Sequence, residues 1–238
     1  MDPRPAVARA WRYPVKSMRG QAAGHIDVAD IGVAGDRRYA LRDPHGRLGS
    51  GKATGRFRRV DGLLRYRARY DAAGDVIITF PDGREWRADD PAIDAALAAA
   101  LGQALTLERV EDGSHLDSGP LHVLTTASLA WLADTLVDVE ADERRFRPNL
   151  VVDVPGAEPV EQGWIGATLR GGDEVVLRVT EPTERCGLVA LAQAGLRHDP
   201  RVLRHITRDA GLMFGVYAEV VIPGRIRVGD AVRVEPGG

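Results

Sequence analysis

The stretch "FGVYAEVVIPGRIRVGDAVRVEP", residues 214–236, indicates a β-rich fold. It begins with a long apolar run, turns at Pro223-Gly224, and continues as two short segments separated by Gly229-Asp230. Apolar runs bounded by glycine, proline and aspartate are typical of strands joined by turns. We therefore predict a closing β-hairpin made of one long strand and two short ones.

The first part of the chain repeats this pattern of short strands and turns. The predicted strands are "AVARAWRY" (6–13), "GHIDVADIG" (24–32), "DRRYALRD" (36–43), "GLLRYRARYD" (62–71), "DVIITFPDG" (75–83) and "REWRAD" (84–89). Many short strands at such spacing favour a barrel or a sandwich. One predicted helix, "DDPAIDAALAAALG" (89–102), has an aspartate cap, Pro91 at its first position and Gly102 as its stop.

A polar, glycine-containing loop, "EDGSHLDSGP" (111–120), is the candidate domain boundary, and divides the chain into residues 1–112 and 113–238. Beyond it the predicted strands are "LHVLTT" (121–126), "NLVVDV" (149–154), "ATLRG" (167–171) and "DEVVLRVTEP" (173–182). The predicted helices are "ASLAWLADTLV" (127–137) and "HDPRVLRHITRDAG" (198–211), the latter capped by Asp199, opened by Pro200 and stopped by Gly211. The predicted fold class is mostly β with a few helices, β-barrel-like, in two closely packed parts.

Composition excludes several classes of protein. The net charge of −2 argues against a nucleic-acid partner, and the interleaved arginines of "RYRARY" (65–70) are explained by the two faces of a strand. The single cysteine permits no internal disulfide. The N-terminus lacks the apolar segment of a signal peptide, and no apolar run is long enough for a membrane span. We expect a soluble, cytoplasmic protein that has no membrane partner.

Common catalytic motifs are missing from the sequence. The six histidines show no HxH, HExxH or HxxxH spacing, so a zinc site is unsupported. No GxGxxG follows a strand, and neither a GxxxxGK[ST] nor a GxSxG motif occurs. Nucleotide binding by those loops and serine hydrolysis are therefore not expected.

Four short motifs place polar side chains at predicted strand ends and turns, where functional groups tend to lie on a β scaffold. They are "YPVKSMRG" (13–20), "GDRRYAL" (35–41), "RFRPNLVV" (145–152) and "ERCG" (184–187). Together they supply lysine, arginine, hydroxyl, amide and thiol groups. Such a set suits an anionic ligand that also carries a soft metal.

These motifs resemble those of the MOSC family, named for the C-terminal domain of molybdenum cofactor sulfurase. The resemblance is to two-part members, which include the mitochondrial amidoxime-reducing component and its bacterial relatives. "LTTASLAWL" (124–132) and the closing segment also match, so six ordered motifs cover nearly the whole chain. The resemblance implies a MOSC N-terminal β-barrel domain over residues 1–112, packed against a β-rich MOSC domain over residues 113–238.

The resemblance also implies a molybdenum cofactor, Mo-molybdopterin, in the cleft between the two parts. Cys186 would supply a thiolate to molybdenum beside the dithiolene sulfurs of the pterin, and the cation of Arg185 would favour the thiolate. Lys16, Arg37 and Arg147 would hold the phosphate and the pterin edge. The positions that match hydrogen-bonding residues are Ser17, Thr126, Ser128 and Asn149. Either Arg37 or Arg38 could take the family's arginine role, depending on strand phase, and we prefer Arg37.

The activity implied is a molybdenum-dependent oxidoreductase that reduces N-hydroxylated or related N-oxide and S-oxide compounds. The substrate would be a small molecule, and the electrons would come from a separate reductase because no cysteine-rich iron–sulfur module is appended. One alternative is a molybdenum cofactor carrier, or a sulfur-handling protein whose Cys186 carries a persulfide. Another is a cofactor-free β domain in which Cys186 is buried.

The chain departs from its relatives just after the cysteine. Relatives often carry hydroxyl residues shortly after it, whereas this chain has "CGLVALAQAG" (186–195). We expect this segment to affect substrate preference.

Overall fold

The structure is a computed structural model that describes residues 4–136, 138–172 and 174–237. In chain order, strands β1 to β18 of the described residues are Ala6–Arg12, Gln21–Ala23, His25–Ala29, Gly32–Val33, Tyr39–Arg42, Leu48–Ser50, Phe57–Arg59, Arg67–Tyr70, Val76–Thr79, Glu85–Arg87, Thr106–Arg109, Leu121–Thr125, Leu150–Asp153, Thr168–Gly171, Val175–Glu184, Met213–Ile222, Gly224–Arg227 and Val232–Glu235. Helices α1 to α3 are Ile93–Leu101, Thr126–Thr135 and Pro200–Ala210. The prediction of a mostly β fold with a few helices is confirmed.

An eight-stranded sheet joins the two parts of the chain. Its strand order is β18-β14-β15-β16-β12-β13-β1-β2, and all neighbours are antiparallel except the parallel pair β12 and β13. Ala10 in β1 pairs with Leu150 in β13, so β1 ends where β13 begins. This pairing brings the turn after β1 close to the residues that precede β13.

Three smaller sheets have the strand orders β11-β5-β6-β7, β10-β9-β8 and β17-β3-β4. No closed barrel is found among the described residues, so the barrel-like part of the fold consists of short open sheets. Because β1 and β2 belong to the large sheet and β3 pairs with β17, strands from both sides of residue 112 pair with each other. The domain boundary near that residue stays a prediction.

The predicted closing hairpin is wrong in its pairing, although its three strands exist. β17 pairs with β3, where Ile226 lies opposite Ile26, and β18 pairs with β14. Both edges of β16 are already occupied by β12 and β15, which leaves no edge for β17. Ile226, in β17, is buried in the apolar core under the large sheet. The turn at Pro223-Gly224 therefore directs β17 across that core.

The helix ends largely follow the predicted caps. The Asp199 carboxylate accepts a hydrogen bond from Arg201 N (2.9 Å), and Gly211 ends α3 in the left-handed conformation at φ 57°. α1 spans Ile93–Leu101 and is stopped by Gly102 as predicted, but its predicted start is wrong, because its N-cap is Ala92, which has no side-chain cap, and Pro91 lies before the helix. The predicted element ends at Val137 and Asp173 lie outside the described residues. No described helix is long and apolar enough to cross a bilayer.

Candidate functional site

A cleft of about 530 Å³ collects most of the predicted site residues from distant parts of the chain. Those that line it are Lys16, Ser17, Arg37, Arg147, Asn149, Arg185 and Cys186. Further charged or titratable groups on its wall that the sequence analysis did not single out include Lys52, Asp117, His122 and Tyr217. The cleft is therefore rich in cations and has a thiol at its wall.

Lys16 lies in the turn that follows β1 and is almost fully buried, with 5% of its surface exposed. Its Nζ donates hydrogen bonds to His115 O (2.7 Å) and to Asp117 Oδ1 (2.5 Å). Burial lowers the pKa of Lys16 to about 8, although the Asp117 charge opposes the change. A bound anion beside Lys16 would raise this pKa again.

Lys52 was missed by the sequence analysis although it is one of only two lysines in the chain. Its Nζ lies 3.2 Å from Asp117 Oδ2, so the two lysines share one carboxylate. Burial alone would raise the pKa of Asp117, but the lysine charges outweigh it and hold the pKa below its usual value. The pair of lysines retains one net positive charge on this side of the cleft.

Arg37 reaches the cleft through a left-handed backbone turn with φ 49°. Its backbone N donates to Tyr13 O (2.6 Å), and its guanidinium forms an ion pair with the buried Asp36. Arg38 turns away, because its Nε donates to Val110 O (2.9 Å). Both arginines precede β5, so the turn and not the strand phase places Arg37 in the cleft.

Arg147 is a buried cation of the cleft that contacts no carboxylate among the described residues. Its Nη1 donates to Met18 O (2.6 Å), and its guanidinium lies 4.3 Å from the centre of the Tyr13 ring. Its Nη2 is buried and has no partner among the described residues. Burial and then the charge of Arg37 lower the pKa of Arg147 to about 10. An unpaired buried donor of this kind is costly unless a ligand accepts its hydrogen bond.

Backbone strain is concentrated in the cleft. Ser17, Arg37 and Arg147 have φ of 63°, 49° and 58°, and they are three of the five non-glycine residues with positive φ in the described chain. Such conformations cost about 1–3 kcal/mol each and cluster at functional sites. The strain supports the cleft as the place where this fold binds its ligand.

Cys186 follows the end of β15 and is an exposed, free thiol at the start of a 3₁₀ helix, Gly187–Ala190. The preceding Arg185 is anchored by its backbone N to Leu212 O (2.9 Å) and by its Nη2 to Phe146 O (2.6 Å). Its Nε is buried and has no partner among the residues described here. The exposure of Cys186 contradicts the alternative in which this thiol is merely buried.

His122 is a buried cleft residue that no sequence signal identified, since its segment was predicted only as a strand. Burial and then the charge of Arg185 lower the pKa of His122 well below its ordinary value, so the imidazole is neutral. Its Nε2 lies 3.4 Å from Arg185 Nη1, and its ring centre lies 5.7 Å from that of Tyr217. A neutral imidazole can accept a hydrogen bond from the guanidinium and so help to orient it.

Asn149 lines the cleft, but its amide is committed to the backbone. Its Oδ1 accepts from His122 N (3.1 Å), and its Nδ2 donates to Trp11 O (3.4 Å). Asn149 thereby connects β1 and β12, the two strands that flank β13. Its role in this structure is to hold the strand ends that carry the site.

Thr126 and Ser128 are not among the residues that line the cleft, so the structure does not support their predicted contacts with the ligand. The Thr126 hydroxyl donates to Asp153 Oδ1 (2.9 Å), and the Ser128 hydroxyl donates to Glu161 Oε1 (2.5 Å). Glu161 is fully buried, so the start of α2 faces an internal carboxylate. The Ser128 hydroxyl satisfies that carboxylate together with the Thr125 hydroxyl, which donates to Glu161 Oε2 (2.7 Å). The Thr126 hydroxyl instead ties the start of α2 to Asp153.

The donor set fits an anionic ligand that brings its own metal ligands. No group of three or more histidine, cysteine or acidic residues in the described ranges could hold a metal ion. The cleft offers one thiol, that of Cys186, as a soft ligand that can become anionic, together with unpaired nitrogens on Arg147 and Arg185. A phosphate-bearing organic cofactor with sulfur ligands of its own matches these groups.

The fold is similar to that of one solved structure of low sequence identity, and two others align with lower TM-scores. The YUAD protein from Bacillus subtilis is 11% identical, with 98% of this chain and 97% of that chain covered and a TM-score of 0.52. YiiM from Geobacillus stearothermophilus is 14% identical over 54% of this chain and 66% of its own, with a TM-score of 0.39. YiiM from Escherichia coli is 16% identical over 52% and 57%, with a TM-score of 0.37. No curated protein matches the chain significantly.

Two family models cover almost the entire chain. The MOSC N-terminal beta barrel domain matches residues 4–113, and the MOSC domain matches residues 110–233. MOSC domains are related to molybdenum cofactor sulfurase and are associated in general with molybdenum cofactor binding. The chain therefore belongs to the MOSC family, and its MOSC domain is preceded by the family's N-terminal β-barrel domain.

Proposed function

We propose that this protein binds the molybdenum cofactor in the cleft and reduces N-hydroxylated or related N-oxide and S-oxide compounds, with electrons from a separate reductase. The observation that carries the proposal is the convergence of an exposed thiol with buried, unpaired guanidinium nitrogens in one cleft. This set matches a ligand that combines a soft metal with a phosphate.

The cations of the cleft have different roles in binding the anionic part of the cofactor. Arg147 offers a free Nη2 and an unmatched charge, so it is assigned the phosphate or another anionic edge of the ligand. The ion pair with Asp36 leaves Arg37 little net charge but fixes its orientation. Lys16 adds a further positive charge. The pKa of its ammonium group, about 8 in the free protein, rises when an anion binds beside it.

The loop around Cys186 fixes the position of its sulfur. Bonds from Arg185 to Leu212 O and Phe146 O fix the residue before it, and the 3₁₀ helix begins directly after it. The unpaired Nε of Arg185 can donate to a ligand atom near the thiol. The cofactor, when bound, supplies the two-electron redox chemistry.

Reduction of an N–OH group to N–H and water consumes protons as well as electrons. Burial lowers the pKa of Lys16 to about 8, and its Nζ lies 2.5 Å from Asp117 Oδ1, whose side chain is 43% exposed. This pair is our candidate route for protons between solvent and the cleft. It gives the two residues a role in turnover in addition to binding.

The test compares the wild type with Cys186→Ala after expression in a host that makes the cofactor. We expect near-stoichiometric molybdenum in the wild type and reduction of benzamidoxime with a reduced viologen as donor, and we expect the variant to lose both. Arg201→Gln, which removes an exposed charge in α3, is the control. Equal molybdenum in wild type and Cys186→Ala contradicts the ligand role. Full occupancy without turnover of N-hydroxylated, N-oxide and S-oxide compounds favours the carrier or persulfide alternative.

A further inference from the structure

A second cavity, of about 650 Å³, adjoins the cofactor cleft, and we call it the apolar groove. Its floor consists of the buried side chains Val60, Leu63, Leu64 and Phe80. Its opposite wall is the segment after the cysteine, represented by Leu188, Leu191, Ala192 and Ala194. The segment that departs from the family pattern therefore builds one side of this groove.

The groove and the cleft share an edge. Ser17 and Leu188 line both cavities, and Leu188 is two residues from Cys186. A molecule in the groove can therefore extend past this edge toward the thiol. The volume is within the range of about 300–1,000 Å³ that small-molecule sites occupy.

Gly51 keeps the groove open beside the wall formed by the segment after the cysteine. A Cβ atom at this position would lie 2.7 Å from Leu191 Cδ1 and 3.4 Å from Leu188 Cδ1. Any larger residue would push these leucines or fill the space between them. The leucines are partly exposed, so apolar surface is available to a ligand.

The charges at the rim favour an anionic substituent on the ligand. Arg19 and Arg65 line the groove, and the Nε of Arg19 is buried and has no partner within the described ranges. Burial and then the charges of Arg67 and Arg144 lower the pKa of Arg19, as expected in a field of like charges. The Asp61 carboxylate in the lining pairs with Arg59 (2.8 Å), so it does little to neutralise Arg19.

We propose that the apolar groove binds the aryl or alkyl body of the substrate, and selects apolar substrates with a neutral or acidic substituent over those with a basic one. The orientation of the substrate, with its N–O group toward Cys186, rests on the proposed function. The prediction that the groove binds an apolar anion is independent of the proposed function. In this proposal, the absence of hydroxyl residues directly after Cys186 makes the groove suitable for apolar substrates.

The binding test uses anilinonaphthalene sulfonate, a fluorescent apolar anion, on the purified protein. Ala192→Trp places a large ring in the exposed wall, and Ala99→Trp places the same ring on the exposed face of α1 as a matched control. We expect saturable binding by the wild type, about tenfold weaker binding by Ala192→Trp, and no change in the control. Thermal unfolding verifies that both variants are folded. Equal affinity in the wild type and Ala192→Trp overturns the proposal.

The substrate test compares benzamidoxime with its para-hexyl, para-carboxyalkyl and para-aminoalkyl derivatives on the molybdenum-loaded protein. We expect the hexyl group to raise kcat/KM by about tenfold or more in the wild type, and Ala192→Trp to remove this gain, whereas Ala99→Trp keeps both the gain and the wild-type activity on benzamidoxime. The carboxyalkyl compound should exceed the aminoalkyl compound, and Arg19→Gln should reduce that preference. A hexyl gain that survives Ala192→Trp contradicts the groove. If no compound is reduced, the proposed function fails and the fluorescence result alone decides whether the groove is a binding site.

Discussion

Replacement of Lys16 by methionine is expected to stabilise the fold and to weaken cofactor binding. Lys16 is 5% exposed, and burial lowers its pKa from 10.5 to about 8. At about 1.4 kcal/mol per pKa unit, the buried ammonium destabilises the folded state by about 3 kcal/mol at neutral pH. Methionine fills a similar volume and has no charge. Loss of the hydrogen bond to His115 O reduces the gain by about 1–2 kcal/mol, and the interaction with Asp117 is already contained in the lowered pKa.

The net gain is therefore about 1–2 kcal/mol, which raises the melting temperature by about 2–8 °C for a chain of this size. The gain depends on pH in a defined direction. Because the folded-state pKa of Lys16 is below the unfolded value, the unfolded chain binds more protons between about pH 8 and 10.5. Wild-type stability from this group rises with pH across that window, so the advantage of methionine is full below about pH 8 and is lost toward pH 10.5.

The assay is denaturant unfolding of the cofactor-free wild type and Lys16→Met at neutral pH and near pH 10. Lys52→Met is the control, since Lys52 contacts the same Asp117 carboxylate but its side chain is 30% exposed. We expect the control to change the free energy of unfolding by less than about 1 kcal/mol at either pH. A Lys16→Met protein that is less stable than wild type at neutral pH, or whose difference is the same at both pH values, refutes the reasoning.

Three further predictions concern the cleft and α2. An anion that binds beside Lys16 raises its lowered pKa, so the affinity of the cofactor-free protein for molybdopterin should fall as pH rises above about 8; equal affinity at about pH 7 and 9 would argue against this. Ser128→Ala should lower the free energy of unfolding by about 1–2 kcal/mol and leave the molybdenum content unchanged, because the Ser128 hydroxyl bonds to Glu161. A folded variant that loses molybdenum would show that Ser128 contributes to cofactor binding after all. Asp36→Asn should destabilise the fold by about 3 kcal/mol, because Arg37 then lies near Arg147 without its ion-pair partner; unfolding curves that overlay those of wild type would contradict the pairing.

Local sequence signals were sufficient for most strands, for the caps of α3 and for the motifs that carry Lys16, Arg147 and Cys186. Strands and caps depend on neighbouring residues, so a single sequence indicates them. The partner of β17 could not be predicted in this way. Its position depends on whether β16 still has a free edge, and that is decided by strands β12 and β15 far away in the chain.

The side chains that were missed or misplaced depend on long-range contacts. Lys52 reaches the cleft only because Asp117, 65 residues later in the chain, lies between it and Lys16. Ser128 points away from the cleft because the buried carboxylate of Glu161 accepts its hydroxyl. Neither contact leaves a signal in the local sequence, so only the folded structure reveals it.

The claim that Cys186 supplies a thiolate to molybdenum is tested most directly by X-ray absorption at the molybdenum edge. The measurement compares the wild type with Cys186→Ser, in which a hydroxyl oxygen replaces the sulfur as a ligand and, unlike alanine, keeps the metal bound, and it counts sulfur ligands per metal. The wild type should show one sulfur ligand more than the variant, because serine replaces only that donor atom. The same sulfur count in both proteins would contradict the role assigned to Cys186.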